Sequence, residues 1–417
     1  MPIHEPGALF QLDIDERVRS IVIEPPNQAA RRLVTGLRRE GPMNEPTTPT
    51  TTPTTGAVSL PLSPGDVTPT WLTAALNAYG LDVDVSTIRR ASLGEGVGMM
   101  SGLERLEIEY SRGTGPAVLI LKMPATNDAN RAVAESFDLY RREVLVYRNV
   151  APHSAAHMPT VYYAAIEGHS FVLLMEDLSA YELGDQVRGC TIEQATNGIA
   201  WLGRHHASLW GRTDDPNFAF LPLVHPSYSS DALVQGCAFG WDPMLSIFGE
   251  VIPIHIAALR EKYLAAAPRL FEWMATPPLT VTHGDFRMDN LFFGSTPGQE
   301  PLIAVDWQGS LRGRASQDVA YFLSGSLPID LRRTHERQLI AQWHSQLVDN
   351  GVGDYSLDDA WEDYRRAILS VWIIAVVIAG TLDATNERGK QWITEMLARS
   401  VAAIDDLDLV TLLDDFV

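Results

Sequence analysis

The stretch Val281-Thr282-His283-Gly284-Asp285-Phe286-Arg287-Met288-Asp289-Asn290-Leu291-Phe292-Phe293 decides the fold. It reads as a strand-like lead, a polar loop and a second apolar strand, and the loop carries the pattern H-G-D-x-x-x-x-N. Phosphoryl transfer needs a carboxylate near the attacking hydroxyl, to orient it and take its proton. It also needs an oxygen ligand for the metal that neutralises charge on the phosphates. Asp285 and Asn290 are residues of those two types.

Further along, Pro301-Leu302-Ile303-Ala304-Val305-Asp306-Trp307-Gln308 ends an apolar strand on a carboxylate, sixteen residues after Asn290. The turn-like segment 294–300 between the two strands predicts a hairpin that brings Asn290 and Asp306 together. Mg²⁺ takes oxygen ligands and keeps several waters, so one amide oxygen, one carboxylate and nucleotide phosphates suffice for it. Taken singly, Asp285 and Asp306 read equally as turn caps; the spaced set between two strands favours chemistry. The Asp-to-Asn spacing is also that of the protein-kinase loop H-R-D-x-x-x-x-N.

Toward the N-terminus the patterns change in blocks. Residues 41–57 are a proline- and threonine-rich linker, preceded by an extension over 1–40 with one short helical candidate at 27–39. Ser63-Pro64-Gly65-Asp66 predicts the cap of a helix running through Thr70–Leu76. Strand-like runs follow at 91–94, 102–110 and 117–122, then a helical pattern from Ala129 to Val150, then a strand at Phe171–Met175. From Ile192 to Trp210, and again after Asp330, helical periodicity dominates. The expectation is an α+β, two-lobed chain: an antiparallel-sheet N-lobe over 58–178, a hinge near 176–185, and a mainly helical C-lobe over 179–417.

Composition narrows the function classes. A formal net charge of -20 repels phosphate backbones and anionic lipid, which argues against nucleic acid as a partner. The two cysteines, Cys190 and Cys237, stand in no disulfide or zinc spacing. The most apolar stretch, 368–382, falls short of the ~20 residues that cross a bilayer and reads as a buried helix. No secretory pattern opens the chain. The expectation is a cytoplasmic protein without a membrane span. His205 and His206 sit in an apolar helical stretch with no third ligand nearby, and read as core histidines.

On the H-G-D loop and the later V-D-W position, the chain resembles the aminoglycoside phosphotransferase and choline kinase superfamily of kinase-like folds. Within it the chain is most similar to the ecdysteroid-kinase-like and uncharacterised bacterial branches. The resemblance spans about Leu60 to the C-terminus. It implies that Asp285 is the catalytic aspartate, that Asn290 and Asp306 hold Mg²⁺, and that ATP is the phosphoryl donor.

The resemblance also places nucleotide contacts in the first lobe. The glycine turn Gly94–Gly102 would bring backbone N–H groups at Gly96, Gly98 and Ser101 to phosphate, although it departs from G-x-G-x-x-G and reads equally as a plain hairpin loop. Lys122 closes its strand where the family's phosphate-pairing lysine sits, and Glu143 follows on the helix that would orient it. Glu176 and Leu178 match the hinge whose backbone meets adenine. Arg287 occupies the place of a phosphate-steadying lysine in protein kinases; the alternative is an ion pair with Asp289. Asp318 matches an aspartate that braces the catalytic loop. The implied function is an ATP-dependent kinase acting on a small-molecule alcohol. The alternative is a nucleotide-binding pseudokinase or scaffold without transfer activity.

Overall fold

The run Phe171–Met175 is apolar at every position because its strand is covered on both faces. Phe171, Leu173 and Met175 belong to one buried core, while Val172 and Leu174 belong to another. With side chains alternating along a strand, this places one core on each side of the sheet. The same alternation puts Leu119, Leu121 and Met123 in the outer core, and Lys122 on the opposite face.

The computed structural model describes residues 58–93, 101–224, 231–381 and 387–417. The chain divides between Thr54 and Thr55, and the unit that begins at Thr55 is compact. The expected extension and linker, and the glycine turn at Gly96 and Gly98, lie outside the described residues.

Helix α1 (Pro69–Tyr79) starts from Thr68, whose side chain accepts the Trp71 N–H, and ends at Gly80 in the left-handed region. The expected cap at Ser63–Asp66 instead closes a 3-10 turn of its own, in which Asp66 accepts the Ser63 N–H. Five strands follow, interrupted by two helices: β1 (Asp84–Ser92), β2 (Ser101–Arg112), β3 (Val118–Pro124), α2 (Asp128–Ser136), α3 (Leu139–Leu145), β4 (Val161–Glu167) and β5 (Ser170–Glu176). The strands form one antiparallel sheet in the order β1-β2-β3-β5-β4. The single helix expected over 129–150 is broken at Asp138, which adopts φ 54°, so α2 and α3 are separate helices. Aspartate tolerates this conformation better than most residues.

Two short strand groups carry the loops of interest. β6 (Glu182–Leu183) lies ahead of helices α4 (Ile192–Leu209), α5 (Asp231–Phe248) and α6 (Arg260–Met274). Next come β7 (Thr280–Thr282), β8 (Leu291–Phe293), β9 (Leu302–Ala304) and β10 (Leu311–Gly313). β7 pairs with β10, and β8 is flanked by β6 and β9. The remainder is helical: α7 (Ser316–Ser326), α8 (Ile329–Asp349), α9 (Leu357–Thr381) and α10 (Glu387–Asp406). Among the described residues α9 is the one helix long and apolar enough to cross a membrane, and 61% of its apolar window is buried inside the protein. The architecture is therefore the expected α+β arrangement, a five-stranded antiparallel sheet joined to a larger, mainly helical body.

Candidate active site

The polar loop predicted between two strands runs from β7 to β8. Gly284 makes its first turn possible. It adopts φ 82°, and a Cβ there would collide with the Gly309 carbonyl. His283 is fully buried, with Nδ1 accepting the Asp285 N–H at 3.2 Å and Nε2 donating to the Val305 carbonyl at 3.0 Å. Burial holds its pKa below the usual histidine value. One imidazole thus ties the Asp285 loop to the strand that delivers Asp306.

Beneath the loop, Asp318 accepts the His283 N–H at 2.7 Å and the Gly284 N–H at 2.9 Å, and pairs with His206 at 3.1 Å. Burial would raise its pKa, but the His206 hydrogen bond and the other bonds to its carboxylate outweigh burial and hold it low. His205 is also buried, between the Ser154 hydroxyl at 2.9 Å and the Val281 carbonyl at 3.1 Å. Both α4 histidines are bonded within the core. No cluster of three or more His, Cys, Asp or Glu side chains suited to a metal occurs among the described residues.

Asp285 accepts from three side chains: Asn290 Nδ2 at 2.9 Å, Tyr321 Oη at 3.0 Å and the Arg287 guanidinium at 3.2 Å. The Asn290 amide nitrogen also donates to the Asp285 carbonyl at 2.9 Å. Its Oδ1 is left without a hydrogen bond among the described residues. The Asn290 carbonyl accepts the Val305 N–H at 3.0 Å, so the expected hairpin does bring Asp306 alongside Asn290.

Asp306 sits at φ 66°, ψ 67°, a left-handed conformation that costs a non-glycine residue on the order of 1–3 kcal/mol and clusters at functional sites. Its Oδ1 accepts from Lys122 Nζ at 2.9 Å, and the same ammonium donates to Glu143 Oε1 at 2.7 Å. The side chains of Lys122 and Glu143 are only 8% and 1% exposed. Burial by itself would lower the Lys122 pKa; Asp306 and Glu143 beside it outweigh that and raise it. Burial pushes Glu143 up, against the pull of Lys122. Of the two carboxylates on this ammonium, Glu143 is enclosed and Asp306 alone keeps an exposed face.

The other expected contacts fall as follows. Arg287 makes the ion pair with Asp289, at 3.2 Å, and also faces Asp285, with its guanidinium 5.0 Å from the centre of the Trp392 ring. Glu176 ends β5, and its backbone N–H and side chain are both committed to Thr160. Leu178 is buried just beyond, and its carbonyl accepts the Tyr181 N–H. Ser101 begins β2 opposite Pro124. Tyr321 was not anticipated, although it lies one helical turn after Asp318 and therefore on the same face of α7. Arg287 and Tyr321 also line a small cavity, with Val371 and Ala375 of α9 and Trp392 and Met396 of α10 completing much of its wall.

A sequence model of the ecdysteroid kinase-like family matches residues 95–351. Acyl-CoA dehydrogenase family member 10 of Mus musculus is 35% identical over a 101-residue alignment that covers 19% of this chain and 9% of that protein. Among solved structures, choline kinase LicA from Streptococcus pneumoniae aligns with a TM-score of 0.43 at 14% identity, covering 81% of this chain and 97% of that one. Macrolide 2'-phosphotransferase MphH from Brachybacterium faecium aligns with a TM-score of 0.40 at 17% identity, covering 76% and 99%.

Proposed function

Since this chain belongs to the ecdysteroid kinase-like family, we propose that it is a small-molecule kinase that moves the γ-phosphoryl group of ATP onto a substrate hydroxyl at Asp285. The observation that carries this reading is the continuous set of contacts from Glu143 through Lys122 to Asp306, and from Val305 through Asn290 to Asp285.

Asp285 orients the acceptor hydroxyl and takes its proton. Three donors already hold the carboxylate, and its two oxygens offer about four lone-pair sites, so room remains for the hydroxyl. Tyr321 stays protonated because burial, and then the charge of Asp285, push its pKa up. It therefore serves as a fixed donor that aims Asp285. The acceptor oxygen bonds to the γ-phosphorus as the bond to the bridging oxygen of ADP breaks, and the acceptor proton passes to Asp285. Lys122 supplies a fixed positive charge for the nucleotide phosphates. Asn290 Oδ1 and the Asp306 carboxylate would hold Mg²⁺, which when bound neutralises phosphate charge. Arg287, paired with Asp285 and Asp289, meets charge developing on the transferred group.

Turnover of Mg²⁺ and ATP with a metabolite extract as acceptor, followed with γ-labelled ATP, tests this reading. Asp285→Asn should lower transfer by about 10²–10⁴-fold, the usual worth of a positioned general base, and leave nucleotide affinity nearly unchanged. Wild-type turnover in Asp285→Asn would remove Asp285 from the mechanism. Magnesium-dependent ATP binding by the wild type, with no labelled product, would identify a nucleotide-binding scaffold instead.

A further inference from the structure

The 3-10 turn Met288–Asn290 comes just after Asp285 and ends on Asn290, the two residues that matter most. It follows Arg287, whose side chain makes no capping bond to it. The first N–H groups of any helical turn lack partners within the turn, so the Met288 N–H must be satisfied from elsewhere. Gln186, 102 residues earlier in the chain, accepts it through Oε1 at 2.9 Å. The Gln186 backbone N–H reaches the same turn and donates to Asp289 Oδ1 at 3.0 Å.

We propose that Gln186 is a positioning residue for phosphoryl transfer, one that fixes the turn between Asp285 and Asn290 without touching either. The proposal rests on the kinase reading of those two residues. The Gln186 side chain is buried, and both ends of its amide are bonded. Oε1 also accepts from the Ser326 hydroxyl at 3.1 Å, and Nε2 donates to the Gly325 carbonyl at 2.9 Å. Two donors face the oxygen and one carbonyl faces the nitrogen, so the partners settle the orientation of the amide. Arg399 closes the arrangement from α10. It donates to the Gln186 carbonyl at 2.7 Å and to the carbonyls of Val187 and Gly325.

Helix α7 therefore grips the loop at three heights. Asp318 holds His283 and Gly284, Tyr321 holds Asp285, and Gly325 with Ser326 holds Met288 by way of Gln186. Positions 318, 321 and 325 follow helical spacing and lie along one face. The bond from Asn290 Nδ2 to Asp285 Oδ2 spans the gripped segment, so movement of the turn changes the distance between the base and the proposed metal ligand. Displacement of a reacting group by about 1 Å costs on the order of 10²-fold in rate.

An apolar side chain of similar length would fill the space but strand the Met288 N–H and the Gly325 carbonyl. Glutamate would keep the acceptor, but would set a second oxygen against Gly325 unless it carried a proton. The test compares phosphate release from Mg²⁺ and ATP, with water as acceptor, and ATP affinity by direct binding, in wild type, Gln186→Met, Gln186→Glu and Asp285→Asn. Gln186→Met should lower turnover by about 10- to 10²-fold with ATP affinity held within about threefold. Gln186→Glu should be impaired at about pH 8 and should approach wild type as the pH falls to about 6, where a carboxyl whose pKa burial raises is partly protonated and regains the donor. Loss of packing alone would not produce that recovery.

Turnover of Gln186→Met within about threefold of wild type would overturn the proposal. A pH-independent ratio of Gln186→Glu to wild type would do the same, and it remains measurable if Gln186→Met does not fold. The underlying kinase reading fails separately: Asp285→Asn at the wild-type rate sinks it whatever the Gln186 variants do.

Discussion

At the scale of single residues, Lys122 carries the heaviest electrostatic duty, because one ammonium neutralises parts of two carboxylates in a nearly dry corner. Lys122→Met keeps most of the side-chain volume and removes the charge. Breaking a buried pair by deleting one partner typically costs about 3–5 kcal/mol. Here the loss should sit near the low end, since Asp306 is 26% exposed and partly hydrated. The loss should also depend on pH. Burial pushes the Glu143 carboxyl above its ordinary 4.5, and removing Lys122 takes away the charge that opposes this shift. A carboxyl with a raised pKa in the folded state stabilises the fold only while protonated, so that contribution disappears as pH rises above 4.5. Urea unfolding of Lys122→Met against wild type should show the larger deficit at about pH 8 and the smaller at about pH 5. A deficit that shrinks toward high pH would refute the assignment. Asp285, Asn290, Asp306, Lys122 and Glu143 were all legible in the sequence, because a strand end, a loop or a helix fixes each one's neighbourhood. Tyr321 and Gln186 were not, because they meet the loop across 36 and 102 residues through side-chain directions that no local pattern encodes.

Among the elements, the crossing of α5 and α9 depends on two glycines. A Cβ on Gly380 would run into the backbone of Gly240, and one on Gly240 would crowd the Val376 carbonyl. Gly380→Ala gains helix propensity worth up to about 1 kcal/mol, but overpacking a close contact costs about 1–3 kcal/mol. The net expectation is a lower midpoint in chemical unfolding, and an unchanged or raised midpoint would show that the helices can part without cost. Strand and helix identities were readable in places, as in the unbroken apolar run Phe171–Met175 and the helical spacing of Ile192–Leu209, while β4 was not expected and the run expected at 91–94 meets β1 only at Ala91 and Ser92. Boundaries set by backbone geometry were less so. The break at Asp138 interrupts a run whose apolar spacing continues across it, and the Thr68 cap lies two residues past the cluster that looked like the cap itself.

For the molecule as a whole, acid is the condition to which the site's own scaffolding is most sensitive. Burial holds His205 down to about 3 and keeps His283 below the usual histidine value. Unfolded histidines take protons near 6.5, so each of these two groups contributes stability that is full above that pH and is lost as pH falls through it, at up to about 1.4 kcal/mol per pH unit. Asp318, held low, adds a loss of the same sign further down. The net charge of -20 works the other way, since acid relieves self-repulsion. That relief needs carboxylates to protonate, most of them near pH 4; Glu143, which burial holds above 4.5, protonates earlier and offsets part of the loss, but two buried histidines outweigh one carboxyl. The unfolding midpoint should fall between about pH 7.5 and about pH 5.5, and less steeply in His205→Gln; an equal or higher midpoint at the lower pH would contradict this balance. The small cavity beside Asp285 has a different bearing. Much of its wall comes from Val371, Ala375, Trp392 and Met396, all beyond residue 351, where the family match ends. The wall is thus shared: Gln186, Arg287, Tyr321 and Gly325 come from within the matched segment and the rest from two helices beyond it, so substitutions in those helices can reshape the space next to Asp285 without touching the side chains that hold it.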